Sequence, residues 1–133
     1  MSIIDHVSLG TNDFKTAVEF YDAVMAPLGY ERVVTYEEYK AAGYGGKDGI
    51  TDLWIGGPFD RSAATPGNGT HICFVAPSQE AVNAFYQAAI KHGASDDGAP
   101  GPRPHYREDY YGAFVKDPDG NKIEAVYFSK PLK

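Results

Sequence analysis

Two histidines and one glutamate have the types and spacing for a divalent-metal centre. His6 and His71 stand at matching places in two similar stretches of the chain, and Glu124 lies on a later strand candidate. In a strand, alternate side chains share a face. Ser8 therefore shares the face of His6, Cys73 and Val75 that of His71, and Val126 and Phe128 that of Glu124. Two imidazoles and one carboxylate on one side of a cation leave positions open for water or substrate, the arrangement expected of a catalytic metal. A single strand histidine is more often an ordinary hydrogen-bonded residue, and the repeated placement of the pair is what favours ligation. Glu124, between Ile123 and Ala125, would need a partner if buried.

Asp52, in Thr51-Asp52-Leu53-Trp54, is a candidate fourth ligand or acid/base on the strand taken as the counterpart of the one carrying Glu124. The separation there, 124 − 52 = 72, exceeds the histidine separation by seven, which a proline-rich insertion would absorb. A surface charge at the edge of a turn is an equal alternative, since Asp is short and reaches a metal less readily than Glu. Trp54, Tyr106, Tyr110, Tyr111, Arg103 and His105 are the candidate wall of a substrate cavity, with His105 a second candidate acid/base. Arg103 to Tyr111 mixes cations, an imidazole and phenols, which suits a lid over a small polar ligand. A charged surface loop with aromatic anchors is the plainer reading of the same segment. Cys73 shares the face of His71 and would line the cavity, although without a paired base it reads better as a buried, inert thiol than as a nucleophile.

These residues need strands to aim them. Ile3 to Leu9 reads as a first strand, and Phe14, Ala17, Val18, Tyr21, Val24, Met25 and Leu28 then recur at helical spacing. Asn12 or Asp13 can cap that helix, and Pro27 with Gly29 ends it. Strand candidates follow at Tyr30 to Tyr36, Tyr39 to Tyr44 and Ile50 to Ile55, giving β-α-β-β-β. The pattern then starts again with a strand at Thr70 to Val75 and a helix capped by Ser78. An offset of 71 − 6 = 65 superposes His6 on His71, Phe20 on Phe85, Tyr21 on Tyr86 and Ala23 on Ala88. An internal repeat of this kind implies two supersecondary units that pair to bury a common core. The expected organisation is one α+β domain over 1–133, with module one at about 1–60, a connector at 61–69 and module two at about 70–130. Asp97 to Pro104, dense in Pro and Gly, is expected to be a surface loop that displaces one strand of module two. Tyr110 to Val115 and Lys122 to Phe128 are strands joined by the turn Asp117-Pro118-Asp119-Gly120-Asn121.

Composition narrows the partners. A length of 133 residues suits one domain, and a formal net charge of −6 without a basic cluster argues against nucleic acid. No apolar run approaches the roughly 20 residues that span a bilayer. The N-terminus does not resemble a signal peptide, so a cytoplasmic location and no membrane partner are expected. Ten Tyr among the aromatics suit a cavity wall.

The repeated β-α-β-β-β, the opening Asp5-His6-Val7 with Asp13-Phe14 and Phe20-Tyr21, and the closing Asp117-Pro118-Asp119-Gly120-Asn121-Lys122-Ile123-Glu124 resemble the vicinal oxygen chelate superfamily. That group includes glyoxalase I, bleomycin-resistance proteins, fosfomycin-modifying thiol transferases and extradiol dioxygenases. The resemblance spans essentially the whole chain. It implies paired modules forming an open, cup-shaped mixed sheet with helices outside, and His6, His71 and Glu124 as ligands of Ni, Zn, Mn, Co or Fe(II). It implies that Asp52 stands for the additional Glu ligand of glyoxalase I, and that the chain is a homodimer. Gly10 occupies the place where bacterial glyoxalase I has an Arg that grips the glutathione carboxylate, so the resemblance does not extend to a glutathione site. The expected function is a glyoxalase-like lyase or isomerase acting on a small oxygenated substrate. The alternatives are a non-catalytic binding protein of the bleomycin-resistance type, holding a planar ligand against Trp54 and the tyrosines, and a ring-cleaving extradiol dioxygenase.

Overall fold

In the computed structural model, which describes residues 2–130, the repeat is built as two four-stranded sheets, each with one helix. The first module comprises β1 (Val7–Gly10), α1 (Phe14–Met25), β2 (Glu31–Tyr36), β3 (Ala41–Gly45) and β4 (Thr51–Gly56). The second comprises β5 (His71–Val75), α2 (Gln79–Lys91), β6 (Ser95–Pro102), β7 (Tyr110–Lys116) and β8 (Lys122–Phe128). Strand orders are β1-β4-β3-β2 and β5-β8-β7-β6, the first neighbours in each sheet being parallel and the rest antiparallel. This is the α+β, twice-repeated βαβββ architecture expected from the repeat.

Helix α1 starts where the Asp13 carboxylate accepts from the Thr16 N–H, at 3.1 Å, filling one of the free donors of the first turn. It tightens into a 3-10 turn at Ala26–Leu28 and stops at Gly29, whose φ of 84° is open to glycine at little cost. In α2, Ser78 caps Ala81 in the same manner. Each helix lays its apolar stripe on its own sheet, and the two helices also pack on each other. Phe20, Tyr21, Val24, Val82, Phe85 and Ala89 thus join Leu53, Ile55, Val115 and Ile123 in one continuous core.

Two expectations are corrected. The first strand begins only at Val7, leaving Ile3 and Ile4 exposed ahead of it. The segment Asp97 to Pro104 is not a loop throughout, because Ser95–Pro102 pairs with β7 as an edge strand. Proline lacks a donor but is tolerated on an edge, where one row of backbone groups needs no partner. The register slips between Asp96 and Gly98 and again between Gly98 and Gly101, which takes up the surplus residues. Among the described residues no strand of one sheet pairs with a strand of the other, so the two paired modules stay open, as the expected architecture requires.

The turn after β7 joins the modules. Asp117 is buried, and its Oδ2 accepts from the Tyr21 hydroxyl at 2.6 Å and the Asn121 amide at 3.0 Å. Its Oδ1 accepts from the backbone N–H groups of Asp119 and Asn121. The Asn121 side chain also donates to the Gly10 carbonyl, and Asp119 accepts from the Asn12 N–H. Burial pushes the Asp117 carboxyl above the ordinary carboxylate range, while these donors pull it back.

Folded Asp117 therefore keeps its proton to higher pH than the unfolded chain does, and this group favours folding most at low pH and progressively less as pH rises through its raised value. Tyr21→Phe removes one donor from a buried carboxylate. It is expected to cost about 1–3 kcal/mol near pH 7 in urea titrations, and less near pH 4, where more of the carboxyl is protonated.

Candidate metal site

Sidedness decides which residues can meet. On β8, Ile123 and Ala125 face the core, whereas Lys122, Glu124, Val126 and Phe128 lie on the other side of the strand. Parallel pairing sets Cys73 opposite Glu124 and His71 opposite Lys122. The antiparallel neighbour β7 sets Phe114 opposite Glu124 and Tyr110 opposite Phe128. The face turned away from α2 thus gathers His71, Cys73, Glu124, Tyr110 and Phe114.

Within it, Glu124 is 1% exposed and divides its two oxygens. Oε1 lies 2.8 Å from His71 Nε2, and Oε2 accepts from the Tyr110 hydroxyl. The His71 ring rests tilted against Phe114, with centroids 6.0 Å apart, and stays partly open to solvent. Burial and the neighbouring Glu124 carboxylate hold the Tyr110 phenol far above its usual range.

A divalent cation fits this pair. Two neighbouring donors bound at roughly 2.0–2.2 Å from one cation lie about 3–3.5 Å apart, so the 2.8 Å hydrogen bond between His71 Nε2 and Glu124 Oε1 would open by a few tenths of an ångström or more to admit one. The carboxylate is buried, the imidazole faces outward, and an open side is left for other ligands.

His6 stands apart. Its Nδ1 pairs with Asp5 at 2.7 Å, just before β1 on the first sheet, and no three His, Cys, Asp or Glu side chains among the described residues gather closely enough in one chain to hold a metal. Convergence of His6 with His71 and Glu124 is therefore not a property of the single chain.

The register also changes the meaning of Asp52. Ser8 pairs with Trp54 as Cys73 pairs with Glu124, and Ser8 and Cys73 are 73 − 8 = 65 apart. The counterpart of Glu124 is Trp54, at a separation of 124 − 54 = 70, and Asp52 corresponds to Lys122. Asp52 accepts a 2.6 Å hydrogen bond from Tyr30, whose phenol that bond, with burial, pushes up to about 12. Trp54 stacks on Tyr36 with centroids 6.2 Å apart and 16° between planes. Across the strand from the indole is Gly43, where a Cβ would collide with Thr51 and Val34.

The other wall candidates separate. Tyr110 belongs to the site, and Tyr106 packs edge-on against it at 5.1 Å while remaining exposed. His105 lies exposed in the turn before β7, its ring tilted against Tyr106 with centroids 4.2 Å apart, and it is not among the hydrogen-bond partners of His71 or Glu124. Tyr111 is corrected. One residue out of phase with Tyr110, it points to the helix side and donates to Asn83 Oδ1 at 2.7 Å. Arg103 is corrected too. Its guanidinium donates to the carbonyls of Ala99, Gly101 and Pro102 and lies 5.6 Å from the Phe114 ring centre, so it staples β6. Cys73 is exposed rather than buried, yet crowding by the surrounding protein and the Glu124 carboxylate push its thiol up to about 12, which suits an inert group. Sequence reasoning missed the Tyr110 bond to Glu124. Strand parity could have singled out Tyr110 over Tyr111, but nothing in the sequence shows which neighbour a phenol reaches.

The model of the glyoxalase/bleomycin resistance protein/dioxygenase superfamily matches residues 3–125. The chain belongs to that superfamily. A virulence protein of Salmonella typhimurium, STM3117, is 30% identical over 122 residues, covering 91% of this chain and 81% of that protein. A glyoxalase/bleomycin resistance protein from Albidiferax ferrireducens superposes with a TM-score of 0.85 at 34% identity, covering 95% of this chain and 99% of that one. Glyoxalase I from Zea mays superposes with a TM-score of 0.69 at 23% identity over 92% of this chain but 45% of its own length, a likeness of fold.

The stapling role of Arg103 has a direct test. Arg103→Ala is expected to speed amide exchange across Ser95–Pro102 and to lower stability by about 1–3 kcal/mol, with Arg103→Lys failing to restore it because ammonium cannot span the same carbonyls. Exchange in β6 unchanged from the parent would refute the staple.

Proposed function

We propose that this superfamily member is a divalent-metal enzyme of the glyoxalase-like lyase or isomerase kind, acting on a small oxygenated substrate. The observation that carries this reading is the pairing of a buried carboxylate with an outward imidazole, 2.8 Å apart, on a sheet face that no helix covers. A bound divalent cation would act as a Lewis acid, polarising substrate oxygens and stabilising developing negative charge. His71 and Glu124 would hold it from one chain, and His6 is the proposed third ligand, contributed by a second copy. Support for the second copy comes from the isolation of His6 at the start of an edge strand, beside the exposed Ile3 and Ile4.

Trp54 in the place equivalent to Glu124 supports a set of three protein ligands rather than four, since module one carries an indole at the position where module two carries the carboxylate. Asp52 remains the proposed acid/base, with Tyr30 fixing its orientation. A second reading draws on the Trp54 and Tyr36 stack, which is a ready platform for a planar ligand. It is a metal-independent binding protein, in which ligand would quench the single tryptophan equally in the parent and in a His6→Ala, His71→Ala double variant.

Elemental analysis of protein purified without chelator decides between them. The enzyme reading expects a divalent metal, thermal stabilisation on adding Ni, Zn, Mn, Co or Fe(II), and loss of both in Glu124→Gln. It also expects a dimer in sedimentation. Neither bound metal nor stabilisation by any of these ions would overturn it.

A further inference from the structure

We propose that Tyr110 is a positioning residue for the metal, holding Oε2 of Glu124 so that Oε1 is the oxygen presented beside His71. The inference rests on the metal reading of this site and concerns what fixes its geometry. A carboxylate can swing about its last torsion and offer a cation one oxygen or both. Here the two oxygens are already assigned, Oε2 to the phenol and Oε1 to the side of His71 Nε2. Because the phenol donates to Oε2, it opposes rotation of the carboxylate away from this arrangement.

Gly112 makes this contact possible. It lies between Tyr110 and Phe114 on the same face of β7, opposite Val126. A Cβ at 112 would sit 3.1 Å from Tyr110 Cε1 and 3.2 Å from Glu124 Oε2, closer than ordinary van der Waals contact. The missing side chain is the gap through which the phenol reaches the carboxylate.

The ring itself is held from several sides. Tyr106 packs edge-on at 5.1 Å and Phe128 at 5.3 Å, and the Tyr110 N–H donates to the Arg107 carbonyl at 3.0 Å. Arg107 in turn lies over the Phe128 ring at 4.3 Å. The segment between β6 and β7, whose sequence suggested a lid, thus acts as a brace behind Tyr110.

Competition of Mn(II) or Zn(II) between the full-length protein and a fluorescent chelator tests this, with His71→Ala, Tyr110→Phe, Gly112→Ala and Tyr86→Phe compared with the parent. Tyr110→Phe is expected to weaken metal binding by about 10–100-fold and, because it takes a donor from a buried carboxylate, to lower the unfolding midpoint of the metal-free protein, so affinity is read well below that transition. Gly112→Ala keeps every polar group yet wedges the pair apart, and is expected to weaken binding in the same direction. Tyr86→Phe, which loses only a hydroxyl bonded to Asp96 on the helix side of the sheet, should leave affinity unchanged. In the Co(II)-loaded protein, the visible spectrum of Tyr110→Phe is expected to shift as the carboxylate changes its mode of binding. If His71→Ala abolishes binding while Tyr110→Phe and Gly112→Ala bind as the parent does, the role of Tyr110 is overturned and the metal reading stands. If His71→Ala binds as tightly as the parent, or the parent binds no metal, the metal reading falls and the inference with it.

Discussion

The buried carboxylate of Asp117 is the joint on which both modules turn. A charge withdrawn from water must be met by donors, and here they come from two places, its own turn and Tyr21 of the opposite helix. The requirement to satisfy one residue therefore fixes where module two sits against module one. It also fixes where β8 begins, because Asn121 precedes Lys122, the first residue of that strand. Seven residues on from Asp117, in a strand whose phase has been set by this joint, Glu124 reaches the uncovered face and not the core.

The same logic explains an asymmetry between the repeats. Tyr86, which the 65-residue offset aligns with Tyr21, bonds instead to Asp96 of its own module. One tyrosine joins the modules and its counterpart secures a strand to its helix. Likewise the repeat puts Glu124 and Trp54 at equivalent places, one a ligand candidate and the other an aromatic surface. The duplicated frame has been kept while its two uncovered faces have taken on different chemistry.

Much of this was legible in the sequence. Helical spacing from Phe14, the caps at Asp13 and Ser78, and the 65-residue offset all report local physics, and each has its counterpart in the fold. What could not be read depends on relations between strands. The prolines after Asp97 argue against a strand only until one knows that β6 is an edge, where the missing donors face solvent. Asp52 was matched to Glu124 through a count of inserted residues, and the true counterpart, Trp54, appears only when the pairing of β1 with β4 is set beside that of β5 with β8. Arg103 resembled a substrate contact because a free guanidinium and a stapling one are identical in sequence. Tyr111 was the avoidable error, since strand parity alone separates it from Tyr110.

The proline-bearing edge has a bearing on how chains meet. A strand with bare donors and acceptors is a template for the addition of another strand, and proline interrupts that template by withholding donors and breaking the repeat of the ladder. Pro100 and Pro102 place such an interruption on β6. At the opposite edge of the same sheet, β5 carries His71 and the exposed Val75 with no proline between them. The sheet is thus polarised, its ladder interrupted by proline along one edge and continuous along the other.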